Sequence, residues 1–420
     1  MRPDLLERIF VVCAFVLFSG ALLPLLRPED SLDQVAGDPL SQAIWLLIYL
    51  GTLFFIARDP HAIWRGIKAN WLLMVIVAFV MASTLWSFAP EVTLRKSIGF
   101  LGSCLFAFYV AQRFSFAELM EAICWFMAVS LVGSILLVVA VPSLGIDHLT
   151  HAGSWRGLYE HKNEAGRMMV FGALAFGLQA VVTRQRWLAA GAVGCVAFML
   201  LTTSKTALLV FVLLALLMGA APILWADASL LLCLFFGGIL VVGISGFWLT
   251  GHADQVATAL GRDITLTGRT GIWEAVFANL KNRLWLGYGY EAFWLGEAGD
   301  SFYVWRLTNY HATFSHNGFL EVWLGIGLSG LLVLVTHVAE SARRAVLLFR
   351  RTRRVETLWF IFLLAFALIY NCTEAFLLKQ NNFFWILYCI STIKLFATAK
   401  VAVAPSPPSF APPARLQEAT

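Results

Sequence analysis

The chain has 420 residues, of which 60% are hydrophobic and 13% are charged, and its formal net charge is +5. Soluble domains contain roughly 45–50% apolar and about 25% charged residues, so this composition places the chain in a lipid bilayer. It excludes a soluble enzyme, a disordered scaffold and a nucleic-acid-binding module.

Apolar runs are the first predicted elements along the chain. A helix needs about 20 apolar residues to cross a hydrocarbon core of roughly 30 Å. Twelve runs come near that length, at about 8–26, 41–57, 70–87, 95–112, 119–141, 165–183, 187–202, 205–224, 228–249, 316–338, 356–372 and 380–398. The first run lacks a convincing cleavage site, so we treat it as a retained span and not as a signal peptide. We expect an all-α integral membrane protein with about twelve transmembrane helices in one polytopic domain, residues 1–400.

The basic residues predict the orientation of these spans. An even number of spans places both termini on one side, and the loops on that side carry Arg58, Arg65, Lys68, Arg113, Arg184, Arg186, Arg343, Arg344, Arg350, Arg351, Arg353 and Arg354. The positive-inside rule makes that side cytoplasmic. The proline-rich segment 401–420 is predicted to be a disordered cytoplasmic tail.

The two long loops, at about 142–164 and 250–315, fall on the opposite face together with six of the eight His. Basic residues that the charge rule disfavours on this face are Arg156, Lys162, Arg262, Arg269, Lys281, Arg283 and Arg306. Their presence there indicates an anionic ligand on the outer face.

The first candidate cluster is segment 155–166, Trp-Arg-Gly-Leu-Tyr-Glu-His-Lys-Asn-Glu-Ala-Gly, which runs into the sixth span. Arg156 and His161 lie near a predicted helix start, where free N–H groups and the helix dipole favour an anion. The planar guanidinium of Arg156 also fits phosphate oxygens. The alternative is an interfacial loop with aromatic anchors and a snorkelling arginine, and composition alone favours neither.

The second cluster is segment 266–273, Leu-Thr-Gly-Arg-Thr-Gly-Ile-Trp. Apolar residues at 272, 273, 276, 277 and 280 have helical spacing, which predicts an amphipathic helix on the outer membrane surface from about Thr267. Arg269 in its first turn opposes the helix dipole, which is reasonable if an anion binds there. A solvated surface arginine is the alternative.

The third cluster is segment 315–321, Ser-His-Asn-Gly-Phe-Leu-Glu, at the outer end of the tenth span. His316 has an ordinary pKa of about 6.5, so it exchanges protons near neutral pH and could act as a general base or donate to an oxyanion. Glu321 lies about 140° around the helix from His316 and is a poor direct partner. An interfacial histidine held by local hydrogen bonds is the alternative.

Two weaker features lie on the same face. Lys205 stands at the outer end of a span, where it could assist an anion, although snorkelling is the simpler interpretation. The last outer loop contains Asn371, Glu374, Lys379, Gln380, Asn381 and Asn382. Glu374 is expected to pair with Lys379 or with another basic residue.

No metal or cofactor site is predicted. The sequence lacks a Walker loop, a GxSxG elbow and an HExxH motif, and its cysteines lack the spacing of a zinc or redox centre. The close acidic pair on the outer side is Asp30 and Asp33, which would hold Mg²⁺ in a metal-dependent lipid-linked glycosyltransferase. We favour a solvated acidic loop over that alternative.

Taken together, the motifs resemble the O-antigen ligase and polymerase family over about residues 90–390. They are the 156–166 stretch with His-Lys-Asn, the Thr-Gly-Arg-Thr-Gly-Ile-Trp around Arg269, Leu-Gly-Tyr-Gly at 286–289, and the 315–321 motif followed by Gly-Ile-Gly-Leu-Ser-Gly at 325–330. The His-Lys-Asn variant is most similar to the ExoQ-type exopolysaccharide polymerase branch. The resemblance implies a GT-C-like architecture with a large periplasmic loop between spans nine and ten.

The resemblance also implies an activity at the periplasmic face of the bacterial inner membrane. An oligosaccharide would pass from undecaprenyl diphosphate to an acceptor hydroxyl without metal, with inversion at the anomeric carbon. Arg269 and His316 would be catalytic, and the diphosphate would contact Arg156, Arg269, His161 and Lys205. The supporting residues would be Asn317, Lys162, Asn163 and Glu374.

Three functions stay open at this point. In a polymerase the acceptor is another lipid-linked repeat unit, with a chain-length regulator as a further partner, whereas in a ligase it is the lipid A core. A lipid-linked glycan transporter is the alternative of another class, but transporters place ionisable residues at mid-membrane and show repeat symmetry. The one-sided polar cluster favours an enzyme.

Overall fold

The computed structural model describes residues 3–22, 38–148, 151–220 and 269–403. Within these ranges the chain is helical, and its β-structure is one isolated bridge between Ile146 and Trp155. The predicted all-α class is confirmed. The ninth predicted span, the Asp30 and Asp33 pair, and residues 404–420 of the predicted tail lie outside the described residues.

We number the longer α-helices of the described residues in chain order and leave out the one-turn helix Pro142–Gly145. The first seven are α1 (Leu5–Phe18), α2 (Pro39–Ala57), α3 (Pro60–Ala69), α4 (Trp71–Ala82), α5 (Pro90–Arg113), α6 (Phe116–Ala140) and α7 (Lys162–Thr183). The next seven are α8 (Arg186–Leu201), α9 (Lys205–Gly219), α10 (Arg269–Leu280), α11 (Ser301–Thr308), α12 (Gly318–Thr352), α13 (Leu358–Asn371) and α14 (Phe383–Val403).

Five of these helices, α2, α5, α6, α7 and α12, are long and apolar enough to cross a membrane. Shorter apolar helices include α8, α9 and α13. A run of apolar helices of this kind is what a multi-pass membrane protein requires. Thr203 and Ser204 separate α8 from α9, as the sequence predicted, because Ser204 accepts the Ala207 N–H and so begins a new helix.

The two ends of the helix bundle differ in their charged residues. At one end Arg8 pairs with Glu118 and Glu121, and Arg113 pairs with Glu7 at 2.9 Å. These groups lie at the start of α1, the end of α5 and the start of α6. Helix α6 then runs roughly 37 Å to the loop that precedes α7, so that loop lies at the opposite end of the bundle.

Helix α12 differs from the single span predicted at 316–338, because it continues to Thr352 and is broken at Gly327. Gly327 has φ +73°, and a Cβ on this residue would lie 2.1 Å from the Trp285 carbonyl oxygen. The break leaves Leu324 O, Gly325 O, Leu328 N and Ser329 N without their helical partners.

Segment 284–289 crosses α12 at this break and supplies those partners. Tyr288 N and Gly289 N donate to Leu324 O and Gly325 O at 2.7 and 3.0 Å, while Leu328 N and Ser329 N donate to Leu284 O and Trp285 O. Broken helices persist in membranes only where other groups bind the freed backbone atoms. The crossing therefore explains why both glycine-rich motifs, at 286–289 and 325–330, occur in one sequence.

The outer loop forms its own small core against the start of α12. Helix α10 buries Ile272, Val276 and Leu280, which pack with Tyr288, Phe293, Val304 and Leu320. The predicted helix is therefore present, although its predicted start at Thr267 lies outside the described residues. This packing brings α10 next to the loop that contains His316.

Candidate functional site

The loop before α12 holds His316 in an unusual backbone conformation. His316 has φ +55°, in the left-handed region. Asn317 then caps α12, because its Oδ1 accepts from Phe319 N at 3.0 Å and from Leu320 N at 3.2 Å. The cap fixes the backbone after His316.

Ser315 fixes the backbone on the other side of His316. Its N–H donates to Glu321 Oε1 at 2.6 Å, and its carbonyl accepts from Trp273 Nε1 at 2.7 Å. The same Glu321 carboxylate accepts from Trp294 Nε1 at 3.0 Å. Glu321 is therefore bonded to the main chain of the His316 loop and not to the imidazole, which agrees with its predicted angular position on the helix.

The imidazole of His316 is held in its neutral form. Burial, followed by the positive charge of Arg269 and then His161, lowers its pKa to about 4. Its Nδ1 is buried, and among the described residues it has no hydrogen-bond partner. Three residues from separate chain segments, His161, Arg269 and His316, are thus electrostatic neighbours at one end of the bundle.

Arg269 is the first described residue of α10, and Trp273 on the next turn bonds to the His316 loop. Burial lowers the pKa of Arg269, and the Glu374 carboxylate acts in the opposite direction. A partly buried guanidinium beside one carboxylate and a neutral imidazole can bind further oxygen ligands, because it carries five donors.

His161 caps α7, since its Nδ1 accepts from Asn163 N at 3.1 Å. Burial and the neighbouring His151, whose ring centroid is 5.5 Å away, lower the pKa of His161, while Glu374 raises it. With Nδ1 acting as an acceptor, the proton of the neutral ring is on Nε2, which can donate to a ligand.

Lys162, Asn163 and Lys205 join the start of α7 to the turn before α9. Asn163 Oδ1 accepts from Ser204 Oγ at 2.9 Å, and Lys162 Nζ lies 3.4 Å from Thr203 Oγ1. Lys205 follows Ser204 and interacts electrostatically with Lys162. The two ammonium groups therefore form the basic border of the site beside His161.

Glu374 lies in the loop after α13, and Asn371 positions that loop. Asn371 Oδ1 accepts from Phe376 N and Leu377 N at 3.0 and 3.1 Å. Gly318 packs so closely on Asn371 that a Cβ there would lie 2.0 Å from the same Oδ1. Glu374 is thereby held next to the His316 loop, where its charge acts on Arg269 and His161.

The ion pair of Lys379 is with Glu291, at 2.7 Å, and not with Glu374. Although burial opposes it, the carboxylates of Glu291 and Glu321 hold the pKa of Lys379 above its ordinary value. The expected pair of Glu374 with Lys379 is therefore not formed, and the charge of Glu374 acts on Arg269 instead.

Arg156 contacts backbone within its own loop. Its Nε donates to Leu144 O at 2.9 Å, and its Nη1 lies 3.4 Å from Glu160 O. These contacts connect the two ends of the loop before α7. That Arg156 binds diphosphate stays a prediction.

The sequence interpretation did not include Arg167 and Glu164 of α7. Arg167 interacts electrostatically with Glu164 and Tyr370, and Glu374 interacts with both of these residues. An arginine inside an apolar run, six residues after His161, was the available signal, because ionisable residues within spans are rare and generally functional. Within the described ranges, no group of three His, Cys, Asp or Glu side chains is arranged to hold a metal ion.

The chain matches the O-antigen ligase family over residues 171–335, a range that contains Arg269 and His316. It is also 28% identical, over 316 residues, to the exopolysaccharide production protein ExoQ of Rhizobium meliloti (strain 1021). That alignment covers 71% of this chain and 70% of ExoQ. Both matches confirm the resemblance that the motifs indicated.

Proposed function

We propose that this chain, which resembles the O-antigen ligase and polymerase family, is a membrane glycosyltransferase that joins lipid-linked oligosaccharide units. The donor is a glycan on undecaprenyl diphosphate, and the acceptor is the hydroxyl of another repeat unit. The observation that carries the proposal is the convergence of Arg269, His161 and His316 from three chain segments beside Glu374.

The reaction replaces one bond at the anomeric carbon with another. The acceptor oxygen forms the new bond, and the bond to the diphosphate oxygen breaks, so the diphosphate leaves with the electron pair. Arg269, with Lys162 and Lys205 at the border, neutralises the leaving charge through directed donors. Attack in line with the leaving group inverts the anomeric configuration.

His316 accepts the proton that the acceptor hydroxyl loses. Burial and, after it, the positive charge of Arg269 lower the pKa of the imidazole, so that it is neutral and able to accept a proton. A bound diphosphate offsets that charge, which raises the basicity of His316 when the donor is in place. The proton is afterwards released to water, so neither a metal nor an external reductant or oxidant takes part in the step as proposed.

A ligase reaction is the second candidate, and the match to the O-antigen ligase family favours it specifically. The donor half of the reaction and the residues that perform it are the same. The acceptor would then be the lipid A core, so the two functions differ only in the surface that receives the acceptor.

The test uses purified protein, a lipid-diphosphate-linked repeat unit and EDTA, with product length and undecaprenyl diphosphate release followed together. We expect a growing ladder in the wild type and a loss of roughly 100-fold or more in His316→Ala and Arg269→Ala. Transfer only when lipid A core is supplied would select the ligase. Movement of intact lipid across vesicles without any transfer would contradict an enzyme and favour a transporter.

A further inference from the structure

Three buried polar atoms near the site lack a hydrogen-bond partner among the described residues. They are His316 Nδ1, Arg167 Nε and the Tyr370 hydroxyl oxygen. Buried polar groups in folded proteins nearly always have a partner, either protein or bound molecule. Several such atoms in one region indicate a polar ligand.

Arg167 lies deeper along α7 than His161, and Tyr370 lies in the last turn of α13. Arg167 is six residues after His161, or roughly 9 Å along α7. Its guanidinium carbon lies over the rings of Phe384 and Phe376, at 5.3 and 6.0 Å from their centroids. These rings hold the guanidinium by cation–π contacts without using any of its N–H donors.

Arg167 and Tyr370 adjoin the site that contains His316. Tyr370 precedes Asn371, which contacts Gly318 two residues after His316. The Glu374 carboxylate interacts with Tyr370 on one side and with Arg269 and His161 on the other. Arg167 therefore extends the same polar region along α7 toward the hydrocarbon core, and Tyr370 interacts with it there.

We propose that Arg167 and the Tyr370 hydroxyl bind the phosphate that is attached to the prenyl chain of the lipid donor. This inference rests on the proposed function. A prenyl chain lies in the hydrocarbon, so its attached phosphate is the deeper of the two, and Arg167 is the deeper arginine. Arg269, beside His316, then contacts the phosphate that carries the sugar.

Binding of two different lipids distinguishes the proposed roles of Arg167 and Arg269. Undecaprenyl monophosphate contains only the prenyl-linked phosphate, whereas undecaprenyl diphosphate contains both. We expect Arg167→Gln to weaken binding of both lipids by about tenfold or more, since it removes charge-assisted hydrogen bonds. Arg269→Gln should weaken diphosphate binding by a similar factor and leave monophosphate binding nearly unchanged.

The measurement is equilibrium binding of each radiolabelled lipid to the purified full-length protein in detergent with EDTA. Arg283→Gln is the matched control, because its guanidinium lies over Tyr288 and donates to Trp86 O, outside the site. It should bind both lipids as the wild type does.

Tyr370→Phe keeps the proposal testable if Arg167→Gln fails to fold. It removes a hydroxyl that has no partner, so the melting temperature should not fall, while binding of both lipids should weaken by about threefold to tenfold. Wild-type binding in both Arg167→Gln and Tyr370→Phe would overturn the inference even if a glycan ladder forms. Weakened binding in a protein that transfers no glycan would retain the inference and reject the proposed function.

Discussion

The charge on His316 depends on the residues around its ring. Burial comes first, and the charges of Arg269 and His161 then add to it, so the imidazole stays neutral well below the ordinary histidine pKa of about 6.5. A base of this kind works only while it is unprotonated. Activity should therefore fall as the pH drops through the pKa of His316.

The pH dependence of kcat/KM reports the ionisation of groups in the free enzyme. Because the pKa of His316 is lowered there, we expect the acidic limb of this profile to lie below pH 6.5. Arg269→Gln removes a charge that lowers the pKa of His316, so the limb should move to higher pH in the residual activity. Arg269→Lys keeps the charge and should leave the limb in place. Identical limbs in all three proteins would contradict the assignment of the base.

Glu321 acts on His316 through the backbone of Ser315, so its substitution tests positioning. Glu321→Ala removes the acceptor for Ser315 N and Trp294 Nε1, and we expect kcat to fall by about tenfold to 100-fold with little change in KM. In Glu321→Gln the Oε1 atom can still accept both bonds, so most of kcat should return. Equal losses in both variants, measured by glycan transfer, would show that the charge and not the geometry matters.

Two elements depend on each other at the break in α12. Segment 284–289 binds four of the backbone groups that the break frees, and Gly327 allows the crossing because it has φ +73° and no Cβ. The start of α12 after Asn317 is thereby fixed relative to the outer loop. The same loop carries Trp273 and Trp294, which bond to Ser315 and Glu321.

Alanine substitutions at Gly325 and Gly327 form a matched pair of variants that tests the crossing at the break in α12. A Cβ on Gly327 would meet the Trp285 carbonyl, so Gly327→Ala should cost about 3 kcal/mol or more of stability. At Gly325 the nearest atom would be 3.6 Å away, an ordinary contact, so Gly325→Ala should fold normally. Thermal unfolding in detergent measures both, and equal melting temperatures would contradict the crossing.

Among the described residues, two groups of charged side chains lie at opposite ends of the helix bundle. Salt bridges of Arg8 and Arg113 lie at the end where α1 and α6 begin, and the cluster of His161, Arg269 and His316 lies at the other. From the positive-inside rule we expect the first end to be cytoplasmic. The proposed site would then face the periplasm, where the proposed lipid-linked glycan would have to be available.

Cysteine labelling tests this orientation. Tyr310 in the outer loop and Arg354 after α12 are both exposed, so a cysteine at either position should be accessible to solvent. An impermeant maleimide should label Tyr310→Cys in intact spheroplasts, but Arg354→Cys only after the membrane is opened. The wild-type chain sets the background, and the reverse pattern would contradict the assigned topology.

The amino-acid sequence alone was sufficient for the helical membrane class, because span length and apolar composition are local properties. It also identified His161, Arg269 and His316 as candidates, since each lies beside a predicted helix start. It indicated the boundary at Thr203 and Ser204 and the poor angular placement of Glu321 relative to His316. Each of these inferences needs only helical geometry within a short segment.

The tertiary structure decided which distant residues meet. It paired Lys379 with Glu291, placed Glu374 where its charge acts on Arg269, and buried Arg167 Nε and the Tyr370 hydroxyl without a partner among the described residues. It also showed that the two glycine motifs form one crossing. Such contacts join segments that are far apart in the sequence. Local helical periodicity carries no information about them, because they depend on packing between helices.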